Sequence, residues 1–132
     1  MNYSNWVENV PRQIQDDPLW DIEVYRKALF FADVAWEDCE SMLQKDLGKP
    51  VAWQLIRSAG SISANMEEGY GRGFGKDYAR FLRIALGSAR ESRGWYYRGR
   101  RLLKPEVIEH RMNLLQTIIA GLVTMSKQQA AR

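Results

Sequence analysis

The sequence is poor in the residue types that most often carry chemistry or cross-linking. It has one cysteine, Cys39, and one histidine, His110, and no apolar run near the roughly 20 residues that a membrane-spanning helix needs. A lone cysteine excludes an internal disulfide and makes a reducing compartment the default expectation. The opening stretch MNYSNWVENVPRQIQDDP contains acids and lacks an apolar block, so it does not read as a secretory leader. These absences together predict a cytoplasmic protein with no membrane association. Prolines are also few, and all four (Pro11, Pro18, Pro50 and Pro105) fall outside the periodic segments, with Pro50 and Pro105 where a helix would begin.

What remains is globular in composition, 45% apolar and 27% charged over 132 residues, enough for one domain with a real core. No alternating strand pattern of useful length is present. Four segments instead repeat apolar residues at three- and four-residue steps. They predict helices from about Leu19 to Lys45, Val51 to Tyr70, Lys76 to Leu103 and Pro105 to Lys127. The expected fold is therefore all-α, an antiparallel up-down-up-down four-helix bundle over residues 18–127. Residues 1–17 form an N-terminal extension, and 128–132 a frayed tail.

The net charge of +3 conceals an uneven distribution. Residues 16–46 hold nine acids against three bases, whereas residues 76–104 hold nine bases against two acids. At about 100° per residue the arginines of the third helix gather on the face opposite its apolar one. Lys76, Arg80, Arg83, Arg90, Arg93, Arg98, Arg100, Arg101 and Lys104 make a charged rod, with Arg72 in the turn before it, and Trp95, Tyr96 and Tyr97 interleave with its C-terminal half. Arginine holds phosphate in a bidentate fork, and aromatic rings offer stacking surfaces for unpaired bases. Sequence-tolerant, salt-sensitive binding of RNA or DNA is the leading expectation. Two others stand beside it: the stripe pairs with the acids of the first helix across a subunit boundary, or it is simply solvated.

Conventional catalysis lacks its parts, and the expectation is a protein that is not an enzyme and has no cofactor. The glycine segment GYGRGFGK fails as a phosphate loop, because Tyr70 stands where a glycine is required and Asp77 where a serine or threonine is. It reads as a tight helix connection that uses glycine for positive φ. A di-iron bundle needs Glu-x-x-His pairs, and neither Glu106 nor Glu109 lies three residues before His110, which is expected at the surface beside Glu106. No zinc site has enough ligands, so no metal is expected. Cys39 falls on an apolar stripe, and the acids Asp33, Glu37 and Glu40 fall on a solvated face. Arg57, Ser61, Asn65 and Glu68 follow one another at steps of four, four and three. They share a helix face and predict a structural polar network that fixes register, in preference to a ligand pocket.

The stretch from Gln54 to Glu91, QLIRSAGSISANMEEGYGRGFGKDYARFLRIALGSARE, resembles the four-helix proteins encoded in intervening sequences of bacterial 23S ribosomal RNA genes. The resemblance is carried by Arg57, Ser61, Ile62, Asn65, Glu68, Gly69, Gly71, Arg72, Phe81, Leu82, Ile84, Ala85, Gly87, Ser88, Ala89 and Glu91. It implies a four-helix protomer of a cyclic homo-oligomer, a pentamer in many members. It also implies kinship with the accessory variability protein of diversity-generating retroelements, a basic ring that binds nucleic acid and partners a reverse transcriptase. The expected partners are accordingly further copies of the chain, nucleic acid, and a reverse transcriptase or RNA-processing protein. The chain departs from the pattern at Glu67, where alanine is usual, and at Phe74-Gly75, where a serine cap is usual. It departs again after Glu91, where Ser-Arg-Gly-Trp-Tyr-Tyr-Arg-Gly-Arg-Arg is unusually basic and aromatic.

Overall fold

The computed structural model describes residues 1–132, and every regular element in it is helical. Two short helices, α1 (Tyr3–Glu8) and α2 (Arg12–Gln15), precede four long ones: α3 (Glu23–Met42), α4 (Gly48–Tyr70), α5 (Lys76–Arg98) and α6 (Pro105–Ala130). Short 3-10 turns at Pro18–Asp21 and Arg100–Leu102 lead into α3 and out of α5. No helix is long and apolar enough to cross a membrane.

Local chemistry sets the boundaries, and some differ from the expected ones. Asp17 caps the first 3-10 turn by accepting the Leu19 amide at 2.9 Å, and Ile22 is extended, so α3 starts at Glu23 and not at Leu19. Helix α4 begins three residues early, at Gly48, because Pro50 fits within a first turn whose amides have no helical acceptor. Helix α5 stops at Arg98, before the predicted Leu103: Gly99 closes it, and Arg100 and Arg101 enter the 3-10 turn. Helix α6 does begin at Pro105, after an extended Lys104. It continues to Ala130, so the tail expected to fray is largely helical. Gln129 accepts the Gly75 amide at 2.9 Å and Arg132 lies 4.2 Å over the Phe74 ring, tying the tail to the glycine turn.

Each long helix packs on two others: α4 on α3 and α5, and α6 on α5 and α3. Tyr25 near the start of α3 meets Glu67 near the end of α4, while Cys39 near the end of α3 meets Ala52 near the start of α4. Between α4 and α5, Arg57 reaches Glu91, Ser61 reaches Ser88, and Gly69 lies against Phe81. Helices α3 and α5 approach each other through the core, where Tyr96 meets Phe31 and Asp38. One cluster of 23 buried residues fills the centre, including Phe31, Met42, Leu55, Ile62, Met66, Leu82, Leu115, Ile118 and Leu122. Burial of this kind contributes about 25 cal/mol per Å² of apolar surface.

The extension is not a loose arm. Phe30 lies off the inner face of α3, yet it is buried because Tyr3 and Trp6 close over it with ring centroids 5.2 and 5.4 Å away. The Trp6 indole donates to Asp33 at 2.7 Å, which gives a partner to one of the acids expected to be solvated.

The turn between α4 and α5 follows the sequence expectation. Gly73 and Gly75 have φ of 92° and 89°, which side-chain-bearing residues rarely adopt. Just before it, Gly69 lets α4 approach α5 closely, since a Cβ there would stand 2.7 Å from the Cβ of Phe81.

Candidate nucleic-acid interface

The outer face of α5 follows directly from its period. Tyr78, Leu82, Ala85, Ala89, Ser92 and Tyr96 point inward and are buried, so Arg80, Arg83, Arg90, Arg93 and Arg98 point outward and are exposed. The 23 residues of α5 make a rod about 34 Å long at 1.5 Å per residue. The ten basic residues expected from sequence, Arg72 through Lys104, are therefore spread along a line and not gathered in one cluster.

The two ends of that line differ. At the glycine-turn end the bases are interleaved with acids. Arg72 bonds Glu68 at 2.9 Å and lies 3.8 Å from Asp77, Arg80 bonds Asp77 at 3.2 Å, and both guanidinium groups lie over the Phe81 ring. The bond to Glu68 and its charge hold the Arg72 guanidinium above its usual range. Lys76 opens α5 and is exposed without an acidic partner. Beyond it, Arg83, Arg90, Arg93, Arg98, Arg100, Arg101 and Lys104 take part in none of the ion pairs in the molecule. No acid within the chain pairs with them.

The three consecutive aromatics near the end of α5 go to three different places. Tyr96 is fully buried and donates its hydroxyl to Asp38 at 2.6 Å, so it belongs to the core. Trp95 is half-buried and donates to Glu91 at 3.0 Å, with Arg98 4.9 Å over its ring. Only Tyr97 faces solvent, 58% exposed, and Arg100 lies 4.2 Å over one of its faces.

The polar line of α4 does not form one network. Arg57 donates to Gln54 and Glu91, both at 2.9 Å, at an exposed edge of the α4–α5 contact. Asn65 donates to the carbonyl and hydroxyl of Ser61, and Ser88 of α5 donates to the same hydroxyl at 3.0 Å. Glu68 turns away to Arg72. Deeper in the same contact, the hydroxyls of Ser58 and Ser92 lie 2.8 Å apart and buried. The motif residues Arg57, Ser61, Asn65, Ser88 and Glu91 thus stitch α4 to α5 at separate points, in place of a continuous line.

One buried polar cluster was not singled out from the sequence. Arg111 of α6 grips the Asp38 carboxylate with two bonds, Nε to Oδ2 at 2.7 Å and Nη2 to Oδ1 at 3.0 Å, while Tyr96 donates to the same group. Burial pulls the Arg111 guanidinium down, but the bonds to Asp38 and its charge outweigh this and leave it raised. Burial, then the Asp38 charge and bond, push the Tyr96 hydroxyl well above its usual range. A signal was present: Phe31, Ala35, Asp38 and Met42 step at four, three and four, which puts an acid on the inner face of α3. Ile108, Arg111, Leu115 and Ile118 do the same for a base on α6. His110 is exposed on α6, as expected, one turn after Glu106 but in no ion pair with it; its Nδ1 is 2.7 Å from an Arg111 nitrogen, and burial and that cation lower its pKa.

Two chemically capable side chains are held in structural contacts. Cys39 is buried against the Ala52 carbonyl, and burial and the Asp38 charge push its thiol up to about 12, far from a reactive thiolate. Glu67 accepts the Tyr25 hydroxyl at 2.7 Å. No group of three His, Cys, Asp or Glu side chains converges as metal ligands would.

Comparison with known proteins bears on the region just described. The sequence model of the 23S rRNA-intervening sequence proteins matches residues 20–124, which include all four long helices except the last turns of α6. Among solved structures, a protein with unknown function from the S23 ribosomal protein family of Bacteroides thetaiotaomicron superposes with a TM-score of 0.74 at 26% identity, over 79% of this chain and 98% of that one. No curated protein matches the sequence. The extension holding α1 and α2 lies outside the family match, and so does the end of α6 that ties down the glycine turn.

Proposed function

Because the chain belongs to the 23S rRNA-intervening sequence protein family, we propose that it is a non-catalytic accessory protein of the cytoplasm that grips RNA or DNA along the outer face of α5. The observation that carries this reading is the run Arg83, Arg90, Arg93, Arg98 and Arg101, exposed and outside every ion pair, the one acid among them, Glu91, being engaged by Arg57 and Trp95. An exposed line of unpaired guanidinium groups is the electrostatic footprint of a phosphate backbone. The acids of α3 lie elsewhere: Asp33, Glu37 and Glu40 face outward from that helix, on the far side of the core.

The same reading takes the four long helices as an antiparallel up-down-up-down bundle, which the start-to-end contacts of α3 with α4 support. It also takes the protomer as one unit of a cyclic homo-oligomer, a pentamer, in which each subunit adds its own stripe. As a ring that binds nucleic acid, it would share the working of the retroelement accessory variability protein and serve a reverse transcriptase or an RNA-processing protein.

A gel shift with single-stranded RNA and DNA at low and moderate salt tests the reading. Retardation that weakens with salt is expected, and its absence at both salts would refute it. Arg83→Glu combined with Arg90→Glu should weaken binding severalfold for every sequence and leave the helix content unchanged, since neither side chain touches the core.

A second reading has its own observation. Trp36, between Asp33 and Glu37 on α3, and Trp53 on α4 are 58% and 64% exposed. An acidic face with exposed indoles is a natural counterpart for an arginine face in a head-to-tail contact. On this reading the protein is a structural or adaptor component whose faces pair between subunits and which docks another protein. The Arg83→Glu, Arg90→Glu variant separates the two: light scattering would show a lost oligomer if the stripe lies between subunits, and an unchanged oligomer with lost binding if it meets nucleic acid.

A further inference from the structure

The arginine stripe changes character along its length, and the change bears on which form of nucleic acid it takes. Its middle, Arg83 to Arg93, presents cations beside Ile84, the open surface at Gly87, and Glu91, which Arg57 and Trp95 engage. Its far end adds an aromatic platform. Tyr97 is the only one of the three consecutive aromatics left in solvent; Tyr96 is committed to Asp38, and Trp95 is held by Glu91 and covered by Arg98. Arg100 lies over one face of the Tyr97 ring and donates to the Tyr97 carbonyl at 2.9 Å, which pins that guanidinium in place. With one face so covered and the residue still 58% exposed, the opposite face is open. Arg98 and Arg101 flank the ring in sequence, both exposed and unpaired. Beside it, a notch of about 230 Å³ opens between Arg100, Pro105, Ile108 and Glu109.

A duplex offers phosphates and groove edges but no free base face. Unpaired bases offer both a phosphate and a π face. An exposed tyrosine, stiffened from behind by a guanidinium and set among free arginines, is matched to the second and wasted on the first. Resting on the nucleic-acid reading above, the geometry points to a single-strand-selective stacking site at Trp95–Arg101. An unpaired base lies on the open face of Tyr97, and its neighbouring phosphates are held by Arg98 and Arg101. The rest of the stripe tracks the backbone without regard to strandedness.

Fluorescence anisotropy on the full chain tests this with three labelled probes of equal phosphate number: an oligothymidylate strand, the same strand with abasic sites throughout, and a duplex. The wild type is expected to bind oligothymidylate more tightly than either of the others. Tyr97→Ala should weaken oligothymidylate binding about five- to hundredfold, the range of one lost base stack, and leave the abasic strand and the duplex unchanged. Tyr97→Phe, which keeps the ring, should retain the preference. Equal affinity for all three probes, with Tyr97→Ala silent, overturns the stacking site but leaves the phosphate-binding stripe standing. Failure of every probe to bind overturns both.

Discussion

At the scale of single residues, the molecule is fixed in its middle by a charge pair that hydrophobic patterning hides. Asp38 and Arg111 are almost wholly removed from water, with side-chain exposures of 7% and 13%, and Tyr96 completes the shell around the carboxylate. Removing one partner of such a pair leaves an uncompensated charge in a low-dielectric interior. Asp38→Ala should therefore destabilise the fold by about 3–5 kcal/mol, read as a fall in the urea midpoint. Replacing both partners by apolar residues of similar volume, Asp38→Leu with Arg111→Met, should recover most of that loss, because the orphaned charge disappears along with its partner. If the double substitution is as damaging as the single one, the pair does more than satisfy itself. The sequence carried this cluster only as two charges out of phase with their helices. Chain periodicity shows that Asp38 and Arg111 point inward but not that they point at each other. Which residues pair across 73 positions is decided by helix packing, and that information is not local.

At the scale of helices, the four long elements were legible because their apolar period is strong and their breaks are chemically marked by Gly48, Gly73, Gly75 and Pro105. Their ends were less legible. Ile22 and Gly99 stop helices where hydrophobic spacing alone would continue them. The α1 and α2 segments were too short to show a period; α1 is held because Tyr3 and Trp6 have Phe30 to pack on, and α2 is tied back where the Gln15 amide donates to the Val10 carbonyl. The outward arginines of α5 were placed correctly, since polar phase is as periodic as apolar phase. The separation of Trp95, Tyr96 and Tyr97 was not, because consecutive residues step by 100° and three neighbours cannot share one role. Glycine gives a contrast within one helix. Gly69→Ala would force a Cβ against Phe81 and Tyr78 and should destabilise by about 1–3 kcal/mol. Gly60→Ala, where an added Cβ meets nothing within 4 Å, should stabilise by about 0.5–1 kcal/mol through helix propensity. Opposite shifts in the thermal midpoint are expected, and shifts of the same sign would mean that α4 and α5 can slide apart.

At the scale of the whole molecule, several buried acids prefer their protonated forms. The thiol of Cys39 rises from 9.0 to about 12, and burial also raises the hydroxyls of Tyr25, Tyr78 and Tyr96 from 10.0. Above pH 9 the unfolded chain releases protons that the folded chain retains. The stabilisation these groups provide is whole below that point and is lost as pH climbs, at about 1.4 kcal/mol per pH unit for each group ionised only in the unfolded chain. His110, shifted downward, acts in the other direction and subtracts stability below 6.5. Urea midpoints measured from neutral to strongly alkaline pH should hold level and then fall steeply, and a flat profile past pH 11 would contradict the burial of these groups. The same global view gives the crossed placement of α3 and α5 a further meaning. With acids facing one way and arginines the other across two helix thicknesses of about 10 Å each, the molecule carries a permanent electric moment perpendicular to its long axis. An incoming polyanion exerts a torque on that moment before it touches anything. On the proposed nucleic-acid reading, a strand would meet the molecule already turned, arginines foremost, and would be repelled from the α3 side, which leaves the molecule a single landing side.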